Sequence, residues 1–451
     1  MSLDQFMSEE NNKTSLGEYP ISHVASNEWK SFAMYTVESR AIPNMIDGLK
    51  PVQRFYLYSS LINSKRDFKK VSAVAGIISD YGYNHGEASA AGAGQLMAAT
   101  WNNNICLVEG RGSFGTRLIQ EPGAPRYVYT RLSENFEKYI RDIDLAPAHD
   151  DPEHEPPAFY VPVIPLVLAN GTKGIATGFA TNILPRSKAA LTKAVTEYIT
   201  TGDIKKRIPI SFPDFKGKVV WDAANERYNI LGVYEKKSKT VMEITEVPYG
   251  YDRESYVKIL DKLEDEGDIV SYDDLCDKAG FSFDIKLKQN TSANWNDEKI
   301  IRKFKLSKPA SENITVIDYE GKLREYEDER ELVKHFCDYR IGILHKRIEL
   351  RQSEAQELAR WLKIKMEFIQ SVLDDKVIFK NRKKADVGNQ ILSNTEALDT
   401  DIDKLLRINI MSLTDEMVKE LHKEIKSAQS ERNFWSKETP NNQFMVDLEG
   451  I

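Results

Sequence analysis

Residues 110–132 read G-R-G-S-F-G-T-R-L-I-Q-E-P-G-A-P-R-Y-V-Y-T-R-L. The stretch opens on a glycine-rich turn, Gly110, Gly112 and Gly115, where a backbone can bend sharply or run close to another polymer. Glu121-Pro122-Gly123-Ala124-Pro125 follows, a loop that cannot be helix. Beyond it, Val128 to Leu132 alternates and is rich in β-formers, which predicts a strand. Arginines stand at 111, 117, 126 and 131. Tyr127 thus sits at a loop edge among permanent cations. A tyrosine that attacks a phosphodiester needs such a setting: a phenol of pKa ~10 is a poor nucleophile unless cations favour the phenolate and the incoming phosphate charge. The chain has 20 tyrosines, and the ordinary role of such a residue is a half-buried ring with a wet hydroxyl. Both readings of Tyr127 stand until the remainder of the chain is considered.

The chain has 451 residues, 41% of them hydrophobic and 29% charged, enough for two to four soluble domains with real cores. No run of 18 apolar residues occurs, so no membrane span is expected. Residues 1–27 are polar, which excludes a signal peptide and suggests a flexible arm. Cys106, Cys276 and Cys337 are far apart and form no CxxC, as expected in a reducing cytoplasm without disulfides or a zinc site. The net charge of −7 excludes a uniformly basic nucleic-acid binder. Charge is unevenly placed, however. Between Lys30 and Ala73, bases at 30, 40, 50, 54, 65, 66, 69 and 70 outnumber acids at 38, 47 and 67. That excess is either a local surface for a polyanion or a solvated face.

In chain order, Glu28–Ser39 has helical spacing, with Trp29, Phe32, Ala33 and Val37 on one stripe. A second helix starts at Pro51. Val71–Tyr81 is apolar and helical, residues 83–86 form a turn, and Glu87–Thr100 is a helix poor in bulky groups. This order suits a helix-turn-helix reader. The small side chains would admit a DNA groove or, equally, a neighbouring helix.

These pieces occur in a recognisable sequence. R-A-I-P-x-x-x-D-G-L-K-P-x-Q-R covers 40–54, Y-x-H-G-E covers 83–87, G-x-F-G-T covers 112–116 and A-x-R-Y covers 124–127. The run P-x-x-L-x-N-G-x-x-G-I-A-x-G-x-A-T-N-I-x-P covers 165–185. Together they resemble the DNA-cleaving part of type IIA DNA topoisomerases, and the brevity of the chain is most similar to the T-even-phage branch. The resemblance implies that Tyr127 is the nucleophile that takes the 5′ phosphate of broken DNA. It implies that Arg126 stabilises the scissile phosphate, and that Arg54 and His85 help to bind and polarise it. Arg40, Lys50, Arg111 and Arg117 would line the DNA path. Ile175 would be a wedge that enters the base stack, a known bending device; its alternative is ordinary core in an apolar run. Tyr83 stands where the family often has a second histidine. Ala88 and Gly92 stand where bacterial members carry Ser and an acid, so the bacterial quinolone site is not expected.

The resemblance also orders the whole chain. It implies a multidomain α/β fold: an arm (1–27), a winged-helix breakage-reunion domain (28–181) and an α/β tower (182–327). An antiparallel coiled-coil arm (328–437) with a dimerisation tip at about 376–412 would follow, then a tail (438–451). The residues themselves give strands at Lys218–Trp221, Thr240–Ile244 and Ile314–Tyr319 and a helix at Arg253–Glu266. They also give a seam along Asp328–Leu373 through Leu332, Phe336, Tyr339, Ile343, Leu350, Leu358, Trp361, Leu362, Ile369 and Leu373. Met417, Leu421, Ile425 and Ala428 would lie on a returning helix capped by Ser412 and Asp415.

No G-x-x-x-x-G-K-[ST] occurs, and Asp142/Asp144 and Asp401/Asp403 read as solvated acids rather than metal ligands. Mg²⁺ and ATP, which the resemblance implies, would both be bound by a partner subunit carrying the ATPase and metal-binding domains. The other partners implied are double-stranded DNA and a second copy of the chain, with no membrane. The location implied is a cytoplasm, that of the bacterial host for a phage protein. Residues Ser436 to Ile451, beyond the expected end of the returning helix near Trp435, are too few for a DNA-wrapping domain and carry more acids than bases, so relaxation and decatenation without net supercoiling are expected. A plain helix-turn-helix binder would leave Arg126-Tyr127 and the long arm unexplained. A tyrosine recombinase would place its tyrosine near the C-terminus and block the 3′ end.

Overall fold

The computed structural model describes residues 27, 29–409 and 413–451. Apart from Asn27, the expected N-terminal arm lies outside the described residues, and so does the expected cap Ser412. The chain forms two compact units. The first takes the chain up to Arg141 together with Ala146–Phe336; the second takes Asp142–Leu145 and Cys337–Ile451. Of the described residues within 28–181 and 182–327, read from sequence as two domains, all but Asp142–Leu145 fall in the first unit.

The first unit begins with the helix Lys30–Thr36, which loosens into a π-helical turn over Val37–Ala41. Ala33 and Val37 of the expected stripe are buried, but Trp29 and Phe32 remain exposed. The helix Pro51–Asn63 starts on a proline, whose missing N–H falls where no helical partner exists. The Gln53 side chain accepts from the Lys50 N–H at 2.9 Å and closes that end. Short helices at Val71–Gly76 and Ile78–Tyr81 lead to the thin helix Glu87–Ala98. Its two sides differ. A Cβ at Gly94 would lie 2.2 Å from the buried ring of Tyr56, so glycine there sets how closely two helices approach. On the other side Ala88, Ser89, Gly92 and Leu96 are exposed. The helix-packing reading holds for one face only.

Against these helices lies a three-stranded antiparallel sheet, in the order Lys69–Lys70, Tyr129–Leu132, Val108–Arg111. Gly110 and Arg111, expected in a turn, are the last residues of a strand and pair with Thr130 and Tyr129. Further along the chain, Thr172–Ile175 and Ala180–Ile183 form a hairpin. A four-stranded sheet follows, in the order Ile269–Asp274, Phe283–Leu287, Val241–Glu246, Val233–Lys236. The helix Arg253–Asp265 covers it and buries Tyr256, Leu260 and Leu263 against Met242, Ile244 and Phe283. A three-stranded sheet, in the order Ser307–Ala310, Arg227–Leu231, Lys218–Asp222, completes the mixed α/β architecture.

A 45-residue helix, Glu329–Leu373, begins in the first unit and supplies most of its length to the second. Leu362 and Ile369 of the expected seam pack with Leu421, Ile425 and Ala428 of the helix Asp415–Trp435. Leu358 and Leu373 are exposed instead, because Ile364 and Phe368 take the buried row. Thr414 caps the returning helix, its hydroxyl accepting from the Met417 N–H at 3.2 Å. The expected tail contains a helix, Pro440–Glu449, with Phe444 and Leu448 buried.

Asp142 is not a solvated acid. It is 3% exposed and pairs with Arg347 at 2.6 Å and Arg340 at 3.4 Å, and both arginines also pair with Asp447. Asp401 is likewise buried and paired with Arg360 at 3.0 Å. Guanidinium groups that meet these interior carboxylates bidentately offset the cost of burying them. Among the described residues no helix is long and apolar enough to cross a membrane.

Candidate active site

Strand pairing positions the nucleophile candidate. Because Val108–Arg111 pairs with Tyr129–Leu132, the chain from 112 to 128 is one long excursion that returns to the sheet just after Tyr127. The excursion is fastened at several points. The Gln95 side chain donates to the Gly123 carbonyl at 2.6 Å, and the Trp101 indole donates to Phe114 O at 3.0 Å. The Val71 and Ser72 N–H groups reach Val128 O and Pro125 O. A tight turn, closed by Tyr127 N–H to Ala124 O at 2.8 Å, then presents the side chain. The Tyr127 ring is 69% exposed, with the guanidinium of Arg126 4.8 Å from its centroid. No ion pair holds Arg126 among the described residues. An exposed phenol against an unneutralised guanidinium is a site ready for an external anion.

Arg40, Lys50 and His85 come together elsewhere in the same unit, around a cleft of about 800 Å³. Tyr127 and Arg126 do not line that cleft. His85 Nε2 shares a 2.8 Å hydrogen bond with the Tyr35 hydroxyl, and its ring meets Tyr83 edge-on at 5.3 Å. Tyr83, in place of the second histidine, is itself held against Phe55. The Lys50 ammonium donates to Lys173 O at 2.8 Å, and burial holds its pKa below the usual lysine value.

Two expected contacts to DNA are corrected. Arg54 is 9% exposed and its guanidinium clasps Asp47 at 2.7 Å and 3.3 Å, with a third bond to Leu49 O. Asp47 is fully buried and also accepts from the Leu49 and Tyr160 N–H groups. Arg54 thus neutralises an interior carboxylate and shapes the turn before Lys50; it is not available to a phosphate. Arg117 is buried too. It pairs with Glu246 at 2.9 Å and lies among the rings of Phe215, Tyr249 and Phe281. It ties the excursion to the four-stranded sheet. Arg111 is exposed at a strand end, 5.8 Å from the Phe68 ring.

Ile175 is 79% exposed at the end of its hairpin strand. The core reading of this residue is therefore overturned. Glycine at 174 makes the seat possible: a Cβ there would lie 2.1 Å from Ala41 O. An isoleucine left in water forgoes about 1.5–3 kcal/mol of burial, which insertion into a base stack would restore.

Asp47, Gln95 and Lys173 do not stand out in the sequence. Asp47 lies in the D-G-L-K-P run, and a buried acid seven residues before an arginine is a signal only once both are placed on one turn. Among the described residues no three His, Cys, Asp or Glu side chains converge as metal ligands.

The family model for the A-subunits of DNA gyrase and topoisomerase IV matches residues 40–449. The chain is similar to the DNA topoisomerase medium subunit of Enterobacteria phage T4, at 41% identity over 97% of this chain and 99% of the relative. It is 31% identical to DNA topoisomerase 2 of Arabidopsis thaliana over 77% of this chain, but spans only 25% of that protein. Its fold is similar to the DNA-binding, cleavage and re-ligation domain of Plasmodium falciparum topoisomerase II. That match has a TM-score of 0.85 and 26% identity, and covers 99% of this chain and 67% of that one.

Proposed function

Since the chain belongs to the gyrase/topoisomerase IV A-subunit family, the DNA-cleaving subunits of type II topoisomerases, we propose that Tyr127 is the residue that breaks the DNA. Its hydroxyl oxygen attacks a backbone phosphorus, a bond from tyrosine to phosphorus forms, and the bond to the 3′ oxygen breaks. The strand end is held as a 5′-phosphotyrosine. Attack by the same 3′ hydroxyl reverses the step and releases the tyrosine, so the exchange needs no outside energy for chemistry. Arg126, beside the ring and without an ion pair among the described residues, stabilises the charge that gathers on the phosphate oxygens. Arg40, Lys50 and His85 receive the DNA backbone at the cleft, and Arg111 lies along its path. The observation that carries this reading is the exposed Tyr127 hydroxyl on a fastened turn against Arg126.

Arg54 moves in this account from phosphate binding to positioning, since its charge already serves Asp47. Ile175 opens a base step and bends the duplex. Smooth bending of a site costs roughly 1–6 kcal/mol, a scale that the wedge's recovered burial can partly offset. The helices and three-stranded sheet around Tyr127 act as a winged helix, the sheets beyond Leu184 as the tower, and the long helix with its return as an antiparallel coiled-coil arm. The segment near 376–412 joins two copies.

Enzymes of this family use Mg²⁺ and ATP. We assign both to a partner subunit, in keeping with the multi-subunit organisation that the name of the phage relative implies. The same relative supports a place in the host cytoplasm.

The test uses the chain reconstituted with its ATPase subunit, DNA, ATP and Mg²⁺. Tyr127→Phe should lose all covalent adduct while binding duplex within a few-fold of wild type. Adduct formation by that variant would refute the assignment.

A further inference from the structure

The helix Glu87–Ala98 reads E-A-S-A-A-G-A-G-Q-L-M-A, and small side chains fill most of it. Gln95 departs from that pattern. It is 7% exposed, so a long polar side chain is buried where its neighbours are alanine and glycine. A buried amide needs a partner, whereas a methionine would fill the same space without one. The partner is the Gly123 carbonyl, which accepts from the Gln95 amide nitrogen at 2.6 Å. Gly123 stands four residues before Tyr127, in the excursion that carries the tyrosine.

The loop around Gly123 has few other ways of being held. Pro122 and Pro125 have no N–H to donate. The Gly123 N–H is taken up by Ser113 O, inside the excursion, and the Tyr127 N–H by Ala124 O. Ties to the rest of the unit therefore end on loop carbonyls: Pro125 O accepts from the Ser72 N–H and Val128 O from the Val71 N–H. Those donors are backbone groups. Among the described residues, Gln95 is the side chain that donates to the loop between 121 and 128. Its neighbour Gly94 acts on the other side of Tyr127. The close seat at Gly94 brings the helix onto the Tyr56 ring, and the Tyr56 hydroxyl shares a 2.6 Å hydrogen bond with Thr130, in the strand that follows Tyr127. Adjacent residues of one helix thus govern both flanks, Gly123 before the tyrosine and Thr130 after it. The exposed Ala88 and Gly92 lie one to two turns before Gln95 on the same helix, so its open surface and the tie to Tyr127 share one element.

We propose that Gln95 is a positioning residue for strand cleavage: by holding the Gly123 carbonyl it fixes where the Tyr127 hydroxyl stands when the phosphate arrives. The inference rests on the reading of Tyr127 as the nucleophile and adds the group that aims it. Attack at phosphorus requires the tyrosine oxygen in line with the bond that breaks, and a misplacement of about 1 Å costs about 10²-fold in rate. Gln95 acts through the loop and takes no part in the chemistry.

The test is single-turnover adduct formation by the chain reconstituted with its ATPase subunit, DNA, ATP and Mg²⁺, set beside duplex affinity and melting temperature. Gln95→Met keeps the length of the side chain and removes the donor. It should slow adduct formation about 10–100-fold, with duplex affinity within a few-fold of wild type. Gln95→Glu gives a readout that a merely structural side chain would not move. Its neutral carboxyl can donate to the Gly123 carbonyl, and its carboxylate cannot. Burial raises the pKa of a glutamate, so its rate relative to wild type should fall as pH rises between about 6 and about 9. A wild-type rate in Gln95→Met, or a relative rate in Gln95→Glu that does not change with pH, overturns the positioning role while leaving Tyr127 as the nucleophile. Adduct formation by Tyr127→Phe overturns the reading of Tyr127 itself, whatever the Gln95 variants do.

Discussion

The guanidinium groups of Arg126 and of Arg347 are chemically identical and have opposite fates. Arg126 stands at the surface over the Tyr127 ring, with no acid in an ion pair among the described residues. Arg347 is buried between Asp142 and Asp447, meeting the first at 2.6 Å and 2.7 Å and the second at 2.7 Å and 3.1 Å. The first group has charge to offer a ligand. The second has none, since its charge is needed to keep two carboxylates inside the protein. Arg54 and Arg117 belong with Arg347 in this respect, although Arg54 closes the 40–54 motif and Arg117 directly follows the 112–116 motif. Whether an arginine in a DNA enzyme touches DNA is decided by its acids, not by its distance along the chain from the nucleophile.

The comparison can be broken most forcefully at the buried group. Arg347→Ala leaves Asp142 and Asp447 without their main partner. Removing one member of a buried pair costs about 3–5 kcal/mol, so a clear drop in urea midpoint is expected. Arg126→Ala should behave in the reverse way, with an unchanged midpoint and a cleavage rate reduced about 10²–10³-fold, the effect of losing one donor to a transition-state anion. If both variants lose stability, or both lose only rate, the distinction fails.

A smaller effect is expected in acid. Burial raises the pKa of Asp447, but the hydrogen bonds and charges of Arg347 and Arg340 outweigh it and hold the carboxyl below its usual value. A depressed folded value means that the stabilisation is complete above the unfolded value of ~3.9 and is lost as pH falls through the folded one. Melting temperature should therefore fall steeply only below about pH 4, and Asp447→Asn should flatten that fall. A loss centred near neutrality would contradict the network. The smallest change belongs to Arg131, whose pair with Glu109 at 2.8 Å is open to solvent. Glu109→Gln should leave the denaturation midpoint essentially unchanged, and a clear drop would place Arg131 with the buried class.

Much of this architecture is legible in the sequence. The long helix, its return through Leu421 and Ile425, and the strand after Tyr127 follow from periodicity, which is local. The proline-rich loop makes it legible that Tyr127 sits at a turn. Ile175 is harder: its neighbours are apolar, and only the register of the hairpin shows that its face points away from Val37 and Ala41. Pairings across long stretches of chain are not legible at all. Arg117 meets an acid 129 residues away and Arg347 one 205 residues away, and no spacing rule links such positions. Asp142 reads as a solvated acid for that reason. The helix Pro440–Glu449 escapes a reading by periodicity because its apolar side is short, with Phe444 and Leu448 set beside polar Gln443 and Asp447, which are buried as well.

The most direct test of the account is to locate the DNA on the protein. A trapped cleavage complex of the reconstituted enzyme can be digested with nuclease and then trypsin. Cleavage after Arg126 and Arg131 would release Tyr127-Val128-Tyr129-Thr130-Arg131, a peptide that contains two tyrosines. Fragmentation by mass spectrometry should place the nucleotide on Tyr127, linked through its 5′ phosphate. A nucleotide on Tyr129, on any other peptide, or linked through a 3′ phosphate would contradict the central claim.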